Sequence, residues 1–192
     1  ICDGGRDGLI VSVGGSGRYE ENDIYGNAGD GVVVESSKAK PIFSKNQVHH
    51  GKCSGLVVRQ QAGGVFKENS IFANACSGVR IETLSDPTLK ENRIYDGVKQ
   101  GLVVSDSGRG QLEGNIIYEN TLAGVHILSG GDPRLTANEV RDGKREGIVV
   151  DQGGKGTMEG NTITANMLSG LLVSGEGSAP CVIGNFIFSS SA

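Results

Sequence analysis

Apolar positions along this chain come singly or in aliphatic-x-aliphatic triplets set off by polar neighbours, and the whole pattern returns every 23 or 24 residues. Its marker is asparagine, at Asn22, Asn46, Asn69, Asn92, Asn115, Asn138, Asn161 and Asn185. Two residues after each stands a β-branched residue: Ile24, Val48, Ile71, Ile94, Ile117, Val140, Ile163 and Ile187. Nine residues after each of the first seven comes a glycine, from Gly31 to Gly170, followed by a triplet such as Val32-Val33-Val34 or Val79-Arg80-Ile81. Three residues before the next marker sits Phe43, Phe66, Leu89, Leu112, Leu135, Met158 or Val182. Alternation with period two is the mark of a half-buried strand, so each repeat predicts three short strands and no helix.

A second period of about two repeats lies beneath the first. Asn27, Asn74, Asn120 and Asn166 alternate with Gly51, Gly97 and Gly143, and Pro41, Pro87, Pro133 and Pro180 alternate with Gly64, Gly110 and Gly156. The opening residues fit as a glycine-type repeat, with Gly4, Gly8, Leu9, Val11, Gly17 and Tyr19 in place. This register disposes of a tempting motif. The G-x-G of "SGRGQLEGN" recurs as "GGKGTMEGN", ahead of the marker and never ahead of a helical pattern. A phosphate cradle needs a helix N-terminus after its glycines, so these glycines are read as turns between strands.

Twenty-three residues with three strands is the length of one coil of a parallel β-helix, in which each strand pairs with its counterpart one coil later. The expected fold class is therefore all-β, a single-stranded solenoid of about eight coils with three short strands each. Inward aliphatics would stack in ladders ~4.8 Å apart, giving a rod roughly 40 Å long. Asparagine tolerates left-handed φ and can hydrogen-bond backbone along the stack, which accounts for its recurrence. Residues 1–192 are expected to form one solenoid domain, a piece of a longer chain whose flanking segments cap the open strand edges.

The pattern N-x-I-[YFH]-x-[NG]-x-x-x-G-[VLI]-x-[VI], followed by P-x-L-x-x-N or G-x-L-x-x-N, resembles the right-handed parallel β-helix repeat of the carbohydrate-binding and sugar-hydrolase superfamily. The stretch "NSIFANACSGVRIETLSDPTLKENRIYDG" is similar to the β-helix of the F-box substrate receptor of ubiquitin ligases and of Shc-binding proteins. The first resemblance implies a right-handed coil. The second implies a substrate-recognition part of an F-box-type adaptor, although no F-box pattern is present in this chain. The matching residues are structural, and fold does not by itself specify activity.

Composition narrows the field. Thirty-two glycines and no tryptophan suit tight turns between short strands, and the net charge of −4 with scattered basic residues gives no nucleic-acid footprint. No apolar run has the length of a membrane span, and none of the twelve asparagines stands in an N-x-[ST] sequon. Of the four cysteines, Cys53 and Cys76 fall one repeat apart while Cys2 and Cys181 are remote. Free thiols in a reducing compartment is the simpler reading, which makes the expected location intracellular and cytoplasmic. No cofactor, nucleic acid or membrane is expected as a partner.

Candidate chemistry falls into rows. Asp96, Glu119 and Asp142 share one position on successive repeats, with Lys99, Lys144 and Arg145 nearby, and clustered carboxylates are what a carbohydrate site requires. Asp96-Gly97 and Asp142-Gly143 are also ordinary turn dipeptides, and that reading is preferred. Glu35, Arg59 and Glu82 should form an exposed charge ladder. His49 and His50 with Cys53 fall short of the three or four converging ligands of a metal site, so no metal is expected. Tyr25, His49, Phe72, Tyr95 and Tyr118 should point outward and stack on each other. The middle residues of the triplets, Ile10, Val33, Val57, Arg80, Val103, His126, Val149 and Leu172, should form an outward, nearly continuous apolar stripe, and such stripes mark contacts. The leading expectation is a non-enzymatic scaffold that docks a protein on Val33, Val57, Arg80, Val103, His126, Val149 and Leu172, either as the substrate-recognition part of an F-box-type adaptor or as a structural component of a larger assembly. The alternative is a carbohydrate-binding or polysaccharide-degrading module using Asp96, Glu119 and Asp142.

Overall fold

A computed structural model of the protein describes residues 1–188. The chain winds as a right-handed β-solenoid of about eight coils. It has 24 strands of three or four residues, distributed over three parallel sheets of eight strands each, with no helix among the described residues. One coil serves for all: Val79–Ile81 lies in the first sheet, Thr88–Lys90 in the second and Arg93–Tyr95 in the third. Each pairs with the strand 23 residues on, as in Val79↔Leu102, Leu89↔Leu112 and Ile94↔Ile117. The repeat in sequence is thus the rise of one strand spacing, and every equivalent position becomes a straight row.

Three corners turn each coil, and each uses left-handed backbone. In the same coil these are Thr83 and Leu84, with φ of 55° and 59°, then Glu91 at 55° and Asp96 at 54°. Such conformations cost a non-glycine residue roughly 1–2 kcal/mol. Hydrogen bonds between corners hold them in place. Asn92 donates from its backbone N–H and its Nδ2 to Asn115 Oδ1, at 3.0 and 2.9 Å, and reaches back to the Phe66 carbonyl at 2.8 Å. The pattern repeats from Asn22 to Asn185, with the markers from Asn46 to Asn161 buried. A buried polar group is stable only when so satisfied.

The two-repeat alternation has the same kind of cause. Asn120 Oδ1 accepts from the Gly97 N–H at 3.0 Å while its Nδ2 donates to the Ile94 carbonyl at 3.1 Å. A Cβ on Gly97 would lie 2.9 Å from that Oδ1, so an asparagine on one coil demands glycine on the coil before it. Inside, Val79, Ile81, Leu89, Ile94 and Leu102 are fully buried, and their equivalents on neighbouring coils continue each row. A void of ≈ 10 Å³ among Val32, Phe43 and Phe66 has room for one water and no ligand.

The expected apolar stripe on the first sheet is corrected by the structure. Its residues do point outward in register, yet Val33 and Val57 are 1% and 0% exposed and Val149 is 9% exposed. Rows only ~4.8 Å apart cover themselves. Val57 lies between Val33 and Arg80, beside the Glu35–Arg59 ion pair. Of the apolar residues in this row only Ile10 and Leu172, on the first and last strands, are exposed, so the row presents no continuous apolar stripe.

Candidate functional site

The outer row of the first sheet runs Arg80, Val103, His126, Val149 in successive strands. A short valine between two long polar side chains leaves a depression, and there a groove of ≈ 500 Å³ opens over Arg80, Val103 and His126. It continues into a second hollow of ≈ 230 Å³ over His126 and Val149, sharing Gln100 and Leu122. One wall is the corner that leads into the sheet. Seven residues after each marker the chain places Cys76, Lys99, Leu122 and Arg145, one above another, with Ser77, Gln100, Ala123 and Glu146 inside them. Leu128 borders the same groove.

Cations in the groove are mostly held by carboxylates. Arg80 donates to Glu82 at 2.5 Å, Arg145 lies 3.5 Å from Glu146, and His126 Nε2 lies 3.0 Å from Asp151 Oδ1. Lys99 has no carboxylate partner among the described residues and is exposed. In the tautomer that donates Nε2–H to Asp151, the His126 Nδ1 carries a lone pair, and an imidazole so oriented by a carboxylate can accept a proton there. His126 and Asp151 are mostly buried, at 18% and 24% side-chain exposure, so the pair is held rather than free in solvent. The arrangement can thus bind hydroxyl or carboxylate groups along its length and exchange one proton at its centre.

Of the residues marked in the sequence, Arg80, Val103, His126 and Val149 come together here, whereas Val33 and Val57 lie buried beyond one end and Leu172 stands on the last coil. Asp96, Glu119 and Asp142 do form a row, but at exposed left-handed corners with φ of 54°, 55° and 53°, outside the groove. Asp142 is paired with Arg141. Their basic neighbours Lys99 and Arg145 reach the wall; Lys144 does not. Asp151 was missed, although strand alternation puts it outward two residues after Val149 and so beside the next row. Cys76, Gln100 and Leu122 were missed as wall residues, although the place of Cys76 and Leu122 seven residues after the marker, and of Gln100 eight after it, was readable.

The other rows are self-contained. Tyr25, His49, Phe72, Tyr95 and Tyr118 stack with ring centroids 5.3, 4.6, 5.0 and 4.7 Å apart, and the Arg141 guanidinium closes the column 4.7 Å above Tyr118. Burial pushes the Tyr95 hydroxyl above its usual range. His49 is taken by Asp23 at 2.8 Å and by His50 at 2.7 Å; among the described residues no three metal-ligating side chains converge. In the charge ladder Arg59 donates twice to Glu35, which raises the Arg59 pKa, while Glu82 turns to Arg80.

Comparison with known proteins agrees with this coil geometry. A family model described as "Right handed beta helix region" matches residues 1–140 and 123–191. No curated protein matches the sequence. Among solved structures, the A-module of the Azotobacter vinelandii mannuronan C-5 epimerase AlgE6 superposes with a TM-score of 0.71 at 19% identity, over 87% of this chain and 53% of that one. The AlgE4 A-module of the same organism gives 0.69 at 16% identity, over 96% and 62%. The periplasmic alginate epimerase AlgG gives 0.70 at 16%, over 89% and 44%. The chain therefore spans about half the length of these neighbours. The expectation of a non-enzymatic protein scaffold of the F-box type is corrected by this finding: these solved neighbours of the fold are epimerases named for mannuronan and alginate. The residues behind the adaptor resemblance are the markers, corner glycines and inward aliphatics that the coil itself requires.

Proposed function

We propose that this chain, which belongs to the right-handed β-helix family, is a polysaccharide-directed module that takes a sugar chain lengthwise along the outer face of its first sheet. The observation that carries this reading is the groove from Arg80 to Val149, open along the rod and spanning three strand spacings, roughly 14 Å. Its floor alternates apolar valines with polar side chains, which suits a sugar ring with an apolar face and hydroxyl edges. Lys99, without a carboxylate partner among the described residues, is free to meet an acidic group of the polymer, in keeping with the mannuronan and alginate named for the structural neighbours. The His126–Asp151 pair supplies the group for a proton transfer at the bound sugar.

The test is calorimetric titration of mannuronan oligomers into the wild-type chain and into Arg80→Ala/Lys99→Ala, with a neutral glucan as control. Proton NMR of the polymer before and after incubation follows turnover. Binding of the acidic oligomer, weakened at least about tenfold by the double substitution (roughly 1.4 kcal/mol), is the expected result. Equal binding by both proteins, or binding by neither, removes the groove from consideration.

A further inference from the structure

Cys53 and Cys76 stand at the same place on successive coils, seven residues after Asn46 and Asn69. The Cys76 N–H donates to the Cys53 carbonyl at 3.1 Å, so the two corners stack in register. Coils in register bring equivalent Cα atoms ~4.8 Å apart, and a disulfide spans about 4.4–6.8 Å between Cα atoms. Both residues are half-buried, and Cys76 lines the groove wall. We propose that Cys53 and Cys76 form a redox-responsive dithiol that closes into a disulfide and clamps two adjacent coils at the mouth of the groove. This stands independently of what the groove binds.

Both thiols are free in the structure, and Cys53 Sγ donates to the Ala28 carbonyl at 3.6 Å, a weak contact that rotation about χ1 can exchange for the neighbouring sulfur. Burial, reinforced by the nearby Asp30 carboxylate and the Cys76 thiol, pushes the Cys53 thiol up. That disfavours Cys53 as the attacking group, and Cys76, which lines the open groove, is the thiol that meets a small disulfide first. The Cys76 thiolate attacks one sulfur of a small-molecule disulfide, forming a mixed disulfide and releasing one small thiol. The Cys53 sulfur then gives its proton to solvent and displaces the second small thiol. The protein loses two protons and two electrons, and the small disulfide is reduced to two thiols. Cys2, whose backbone pairs with that of Tyr25 at the start of the rod, and Cys181 in the last coil are remote from this pair.

The experiment treats the full chain with graded oxidised glutathione, quenches with N-ethylmaleimide and maps cysteines by mass spectrometry. At limiting oxidant a linked Cys53–Cys76 peptide should appear, with a loss of about 2 Da from the protein, while Cys2 and Cys181 remain alkylated. Dithiothreitol should restore all four alkylation sites. Cys53→Ser should convert the response into a lasting glutathione adduct on Cys76, because no resolving thiol remains. Separate glutathione adducts on both Cys53 and Cys76 in the native chain would overturn the proposal. So would linkage of either residue to Cys2 or Cys181, or no reaction of the pair at an oxidant level that modifies Cys2.

Discussion

Two outer faces of this rod are built by one repeat and end differently. On the third sheet the outward row is Tyr25, His49, Phe72, Tyr95 and Tyr118, flat rings of similar size whose stacking distance of 4.6–5.3 Å matches the strand spacing. The rings cover one another's faces, so the row leaves no depression between successive residues. On the first sheet the outward row is Val57, Arg80, Val103, His126 and Val149, unequal in length and chemistry. There the short residue between long ones leaves a groove. Position in the repeat decides whether a side chain points out; the match between successive residues decides whether the row seals or opens.

What both faces share is the marker column, so its removal should have the largest effect. In Asn115→Ala the Asn92 N–H and Nδ2 lose their acceptor, and the Leu89 carbonyl and Asn138 Oδ1 lose a donor, all in buried surroundings. At about 1–3 kcal/mol for each group left unsatisfied, with partial recovery by relaxation, a loss of about 4 kcal/mol is expected in urea unfolding. A loss below about 1 kcal/mol would show that the columns are not what holds the coils together.

The second test separates the faces. Tyr95→Ala removes a ring stacked on both Phe72 and Tyr118. At about 0.5–1.5 kcal/mol for each aromatic pair beyond burial, it should destabilise by about 2 kcal/mol and leave oligosaccharide binding unchanged. Val103→Trp is the converse. Its new ring would lie over the groove between Arg80 and His126, outside the core, so stability should change by less than about 0.5 kcal/mol while titration with mannuronan oligomers shows binding weakened at least about tenfold, or roughly 1.4 kcal/mol. A Tyr95 variant that loses binding, or a Val103 variant that keeps it, would reverse the assignment of the faces.

Much of this was readable in the sequence, for a definite reason. Inward residues such as Ile94 and Ile117 recur because a solenoid gives each of them the same surroundings, so periodicity and burial carry one signal. The marker asparagines and their alternation with glycine follow from bonds between coils, and those bonds repeat with the coil. What was not readable depends on neighbours in space that differ from coil to coil. Outward direction at Val33 and Val57 was correct, but their burial comes from the particular residues above and below and from the Glu35–Arg59 pair. His126 was read as an outward residue of the first sheet, whereas its partner Asp151 comes from the next coil and was not foreseen. The adaptor reading failed on the same ground: residues that any coil of this kind needs carry no information about what it binds.

The smallest expected effect settles the row of Asp96, Glu119 and Asp142, which the sequence offered as a carbohydrate site. Glu119 is exposed at a left-handed corner with φ of 55°, a conformation in which its Cβ is a liability. Glu119→Gly relieves roughly 1 kcal/mol of that strain, and the greater freedom of glycine in the unfolded chain takes back a similar 0.5–1 kcal/mol. The melting temperature should therefore stay nearly constant. Because the residue lies outside the groove, binding and turnover of acidic oligosaccharide should be unchanged as well. If the carboxylate instead contacts the sugar, binding falls while stability holds, and that outcome would move the site from the first sheet to the corner.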